Sequence, residues 1–275
     1  MKHTKFFLIL ALLFTLIGNP VTSSEFTVTL PTKMSPHLVY VSAIKPQETS
    51  FSKEYIAQLR DVLTFDLEVS GDVLPTSQSA QAEKILQSPD PFALSFWENR
   101  EPIYIVNLKV KNKSIFATLF SLKTGQSYQI KQDHLCGALM SDRRIMHKIA
   151  DTLFELITGY KGIATTRILY ALQIPNLTED ETTWKSEIWE ADYDGANQKK
   201  ITSENSYCIC PVFFPKSAGF AKDKFIYVNY KNGQPKIFIT HFGKTQGDSW
   251  IPLRGNQLLP TVSSKGDKIA FICDA

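Results

Sequence analysis

Cysteine is scarce in this chain. Four in 275 residues, at positions 136, 208, 210 and 273, are too few for a disulfide scaffold. Neither sign of charge is in excess: 30 Lys and Arg against 27 Asp and Glu give a formal net charge of +3. Lys2 and Lys5 supply two of those charges, so the remainder is nearly neutral and lacks the basic footprint of a nucleic-acid binder. Beyond Ile17 no apolar run approaches the roughly 20 residues of a spanning helix. Catalytic motifs are missing as well. Gly247-Asp-Ser249-Trp lacks the glycine two residues after the serine that a nucleophile elbow requires.

What is present begins with a leader. Lys2 and Lys5 precede an apolar run from Phe6 to Ile17, followed by Gly18-Asn-Pro-Val-Thr-Ser-Ser24. This is the pattern of a secretory signal peptide over residues 1–24, cleaved after Ser23 or Ser24. In an oxidising compartment Cys208 and Cys210, on one face if their segment is a strand, have Cys273 as a possible partner. Cys136 has no evident partner. A lone C-x-C is weak as a metal site.

The second half repeats. Arg167-Ile-Leu-Tyr-Ala-Leu, Phe225-Ile-Tyr-Val-Asn-Tyr and Lys268-Ile-Ala-Phe-Ile-Cys are three versions of one strand, spaced by 58 and then 43 residues. Short strands recurring every 40–45 or so residues mark β-propeller blades. Blades stack because none buries its own faces, and the stack serves mainly as a binding platform. Residues 25–160 differ and predict a small mixed α/β domain. Leu38–Ile44 has the length and apolarity of a buried strand. Ser52 caps a helix bearing Ile56, Leu59, Leu63 and Leu67, which ends by Gly71. A short helix follows over Ala80–Leu86, then strands near 103–111, 114–122 and 126–131. A long helix capped by Ser141 carries Ile145, Ile149, Leu153 and Ile157 on one face and stops at Gly159.

Several fragments, taken in order, resemble the TolB family. They are Asp66-Leu67 with Ser70-Gly71; His147 four residues before Asp151; Thr158-Gly159-Tyr-Lys-Gly162; Thr166-Arg167-Ile168-Leu-Tyr170; Ala191-Asp-Tyr-Asp-Gly195 with Asn197; and Tyr227-Val228 before Asn232-Gly233-Gln-Pro235. The resemblance covers nearly all of the chain after the leader. It implies a periplasmic, monomeric, non-enzymatic component of the Tol–Pal system without a cofactor. Such a protein pairs an α/β domain with a six-bladed propeller, binds the lipoprotein Pal and the inner-membrane protein TolA, and supports outer-membrane integrity and constriction at division.

The chain departs from the pattern in places. The family's blade turn, Trp-Ser-Pro-Asp-Gly-Ser-Lys, stands here as Val262-Ser-Ser-Lys-Gly-Asp-Lys268. Thr166 to Ala275 is 110 residues, about two and a half blades. An incomplete propeller over 166–275, and hence a C-terminally truncated product, is the expectation.

The resemblance also designates two partner sites. Glu25, Phe26, Thr27, Val28, Thr29 and Leu30 form an alternating tail, suited to adding a strand to a partner's sheet, where the family binds TolA. Arg254, Asn256, Leu259 and Pro260 match the family's Pal-contacting loop, with Asn256 where the family has histidine. The competing reading for each is plain structure: an edge strand and an inter-blade loop. His147 and Asp151, at i and i+4, face together on a helix, and a structural hydrogen bond explains them better than metal or base chemistry. Asp192 and Asp194 before Gly195 read as a hairpin turn rather than a calcium loop. The alternative function is the propeller-bearing front half of an exported serine peptidase.

Overall fold

The computed structural model describes residues 35–47, 50–175, 185–215 and 223–275. Its first half is built on a mixed sheet. β1 (His37–Val41) lies between β3 (Val73–Pro75) and β4 (Tyr104–Lys111), parallel to both, and β2 (Lys45–Gln47) extends the parallel pairing along β4. β5 (Ser114–Ser121) and β6 (Ser127–His134) continue from β4 as an antiparallel meander. Pleating sorts the side chains. Val39, Val41, Val106, Leu108 and Val110 face one way and pack on α1 (Lys53–Val69) and α4 (Leu139–Thr158), while Tyr40, Ile105 and Phe120 face α2 (Ala80–Ile85) and α3 (Leu94–Trp97). Each large side chain so buried contributes about 1.5–3 kcal/mol.

The helix ends follow local chemistry. Ser52 Oγ accepts from the Tyr55 N–H at 3.2 Å and starts α1. Gly159, at φ 79°, donates to Glu155 O and stops α4. The predicted Ser141 cap is wrong by two to three residues. The helix opens at Leu139, and Asp142 reaches back to accept from the Cys136 and Gly137 N–H groups at 3.0 and 2.8 Å. The cap position, Ala138, has no side-chain hydrogen bond; the Asp142 carboxylate instead ties down the residues that lead into the helix and lies near its positive end.

The second half is a run of antiparallel sheets. β7 (Arg167–Ile174), β8 (Lys185–Asp192) and β9 (Lys199–Lys200) form the first; β10 (Cys208–Phe213), β11 (Lys224–Asn229), β12 (Lys236–His241) and β13 (Asp248–Ser249) the second; β14 (Gln257–Val262) and β15 (Ile269–Cys273) the third. Among the described residues none closes into a barrel. The three sequence-related segments are all strands, β7, β11 and β15. The Asn232-Gly233 turn joins β11 to β12 with Gly233 at φ 79°, and Gly266 at φ 73° serves the β14–β15 hairpin. Buried polar side chains clip sheet to sheet. Ser186 Oγ accepts from the Cys208 N–H at 2.8 Å. Gln257 accepts from Ile237 N and donates to the carbonyls of Ile251 and Leu253.

A bulge recurs in the first strand of the second and third sheets. Cys210 (φ 51°) and Leu259 (φ 49°) adopt left-handed backbone, each is followed by proline, and each lies where the pairing register shifts. The extra residue breaks the alternation. Cys208 and Cys210 consequently do not share a face: Cys208 joins the cluster of Ile188, Phe225 and Tyr227, whereas Cys210 packs with Phe214, Ile226 and Val228. All four cysteines are free. Burial, with the Glu187 carboxylate adding to it, pushes the Cys208 thiol far above its ordinary value, which suppresses thiolate chemistry there.

Candidate functional site

Most of the residues that carry the family resemblance meet at one place, the joint between the α/β half and the first antiparallel sheet; Tyr227-Val228 and Asn232-Gly233-Gln-Pro235 lie apart, in the second sheet. α4 devotes a stripe at i, i+4 and i+8 to it: Arg143, His147 and Asp151. The remaining contacts come from Asp66 on α1, from the turn after β8, and from the linker 159–166.

Asp66 and His147 are buried, at 5% and 1% exposure. His147 Nδ1 lies 2.6 Å from Asp66 Oδ2, and the Tyr193 hydroxyl donates to Asp66 Oδ1 at 2.6 Å. A carboxylate can only accept, so the histidine carries its proton on Nδ1. Burial first, and then the Asp66 carboxylate, hold the Tyr193 hydroxyl well above the usual tyrosine range. On the other side of the ring, His147 Nε2 has no hydrogen-bond partner and stands 3.8 Å from Asp194 Oδ2, the same oxygen that receives Arg143 Nη2. Asp194 Oδ1 accepts from Ala196 N at 3.0 Å, and Asn197 Nδ2 donates to Met140 O at 3.1 Å.

Asp151 does not pair with His147, although the two share a helical face. It holds the linker: its Oδ1 accepts from Ala164 N at 2.7 Å, and its Oδ2 from Thr165 N and Oγ1 at 3.0 and 2.6 Å. Gly162 lies against this aspartate so closely that a Cβ there would stand 2.7 Å from Asp151 Cα. Gly162→Ala should therefore push the linker off the carboxylate. The expected cost is about 1–3 kcal/mol of stability, the range for overpacking, read as a lowered urea midpoint. An unchanged midpoint would mean that the linker has room to move.

An Asp–His pair supplies two of the three members of a catalytic triad, yet among the described residues no hydroxyl or thiol bonds His147 Nε2, and the ring is buried. Asp66, His147 and Asp194 also have metal-ligand donor types. The geometry is that of hydrogen bonding instead. Ligand atoms sharing one ion at 2.0–2.2 Å stand roughly 3 Å or more apart, whereas 2.6 Å between Nδ1 and Oδ2 is the length of a shared proton, and the Arg143 guanidinium already occupies Asp194. Beside the cluster lies a small cavity of about 130 Å³, lined by Leu67, Val69, Phe154, Ile163 and Ala164 around the Tyr193 ring.

The sites designated from the resemblance fare differently. Glu25 to Leu30 lie outside the described residues. Arg254 and Asn256 sit on the loop entering β14, but Leu259 and Pro260 belong to that strand, so the expected loop is shorter than the sequence suggested. Asn256 is pinned: its N–H and its Nδ2 both donate to Asp274, the amide at 2.8 Å from Oδ2. These contacts hold the Asp274 carboxyl below its usual value. Leu259 is 61% exposed and Pro260 buried. The partners of His147, 81 residues back and 47 residues on, were invisible to spacing arguments. The signal was there in a cluster of polar residues within the resemblance that no helical or strand face required.

No family model matches the chain. It is 36% identical over 263 residues to a TolB homologue of Protochlamydia amoebophila, covering 94% of this chain and 55% of that protein. With a TolB homologue of Chlamydia pneumoniae it shares 32% over 225 residues, 81% of this chain and 46% of the relative. The chain thus spans about half the length of the curated relatives it matches. The crystal structure of TolB from Acinetobacter baumannii has the same fold, with a TM-score of 0.65 at 18% identity over 88% of this chain and 56% of that one.

Proposed function

We propose, from the premise that this chain belongs to the TolB family over the half of the family's length that it spans, that it is a periplasmic, non-enzymatic binding scaffold of a Tol–Pal envelope system. In this reading residues 1–24 are a cleaved signal, 25–160 the α/β domain, and 166–275 blades of a propeller that six blades would close. The tail Glu25–Leu30 engages a TolA-like inner-membrane protein. Arg254, Asn256, Leu259 and Pro260 face a Pal-like lipoprotein, and the protein helps to maintain the outer membrane and to constrict the envelope at division.

The observation that carries the reading is sequence identity of 36% running through both the α/β half and the sheets. A peptidase's front half would share blades alone. The buried Asp66–His147 pair, with no nucleophile bonded to it among the described residues, suits a structural part better than a catalytic one. No described helix is long and apolar enough to cross a membrane.

Capture of purified Pal and TolA domains by the chain from Glu25 onward tests the proposal. Deleting residues 25–31 should abolish TolA capture and spare Pal capture. Equal loss of both would mean that the tail merely supports the fold. A folded sample capturing neither partner would overturn the reading.

A further inference from the structure

The joint has the construction of a latch. Among the described residues, the apolar cluster of the α/β half contains no side chain from strands β7 to β15, and Tyr193, in the turn after β8, is the one residue beyond the linker that packs on it. The sheets have their own apolar clusters. Apart from the packing of the Tyr193 ring, what crosses the joint among the described residues is polar: the Tyr193 hydroxyl to Asp66, Arg143 to Asp194 and Asn197 to the Met140 carbonyl, with Asp151 holding the linker beside them. An interface held by polar contacts is one about which two bodies can move. Buried charges strengthen the point. Their attraction in the closed joint is set against hydration regained on opening, so the balance is narrower than for an apolar contact of the same size.

We infer that Asp66, His147, Tyr193 and Asp194 form a latch that fixes the first antiparallel sheet on the α/β half, and that it releases as a unit while both halves stay folded. His147 is the bridging residue. Its Nδ1–H is committed to Asp66 on α1, while Nε2 points toward Asp194 in the turn after β8, 3.8 Å away and unpartnered. Arg143, one turn earlier on the same helix, holds that oxygen. One helix face thus carries both the donor that holds Asp194 and the imidazole that holds Asp66.

Amide hydrogen exchange on the whole chain tests this. The N–H groups of Ala164 and Thr165, bonded to Asp151 where the linker enters the joint, report loosening there. Those of Val39–Val41 and Ile226–Val228 report the two halves. Tyr193→Phe removes only the hydroxyl, and His147→Gln removes the bridge while keeping a hydrogen-bonding side chain. A hydrogen bond to a charged group is worth a factor of roughly ten to a hundred. Each variant should therefore speed exchange at 164 and 165 by on the order of tenfold or more and leave both sets of strand amides as they were. Unchanged exchange at 164 and 165 in both variants would overturn the latch. So would acceleration of all amides together, because the cluster would then be an ordinary part of one cooperative core.

Discussion

Glu187→Ala is expected to destabilise the sheets by about 3–5 kcal/mol. The carboxylate is buried at 2% exposure and accepts three hydrogen bonds: from Thr202 Oγ1 at 2.6 Å, Glu204 N at 3.0 Å and Asn205 N at 3.0 Å. Alanine leaves those donors in a dry site, at about 1–3 kcal/mol for each one not satisfied elsewhere. The damage should travel. Thr202 also accepts from Ile188 N at 2.8 Å. Glu204, positioned through its own N–H, receives the Tyr227 hydroxyl and Gly247 N from the second sheet. Urea unfolding is the measurement, with exchange of the β8 and β11 amides showing where stability is lost. A change below about 1 kcal/mol would mean that water replaces the carboxylate.

Trp97→Ala should cost a similar amount, about 3–5 kcal/mol, by a different route. Trp97 is 1% exposed, the largest buried side chain of its cluster, with its ring 5.4 Å from Tyr40 and 5.0 Å from Phe96. It sits on α3, four residues long, which cannot persist by its own hydrogen bonding. The tryptophan is therefore what holds α3 to the sheet, aided by Nε1 donating to Pro91 O at 3.2 Å. Trp97→Phe should recover much of the loss. If it recovers none, the Pro91 bond outweighs the packing.

Legibility of the fold followed the range of the forces involved. Ser52, Gly159, Asn232-Gly233 and Gly266 act on their own neighbours, so capping and turn chemistry disclosed them directly. α1 and α4 were readable because burial on one face imposes a period on the chain. α3 has no counterpart in the sequence reading because four residues carry no period. Ser141 reads as a cap because a serine before an apolar-periodic run usually is one, whereas the helix opens at Leu139 after an alanine that has no side-chain oxygen to cap with. The shared face assigned to Cys208 and Cys210 failed because a bulge leaves no mark in a strict two-residue alternation. The joint was half legible. His147 and Asp151 stood out as a helical pair, but their partners lie on other elements, and only tertiary folding brings Asp66, Asp194 and the linker to them.

The repeated bulge has a consequence for variation. At 210 and at 259 the backbone is turned out of the pleat just before a proline, which has no N–H to leave unpaired. The ladder resumes on either side of any residue that tolerates a left-handed backbone. At 259 that side chain is mostly in solvent, so its identity is decoupled from the core. A leucine, a small residue or a charged one could occupy the position with little change in folding, while the rim of the sheet would present a different chemical face to whatever meets it.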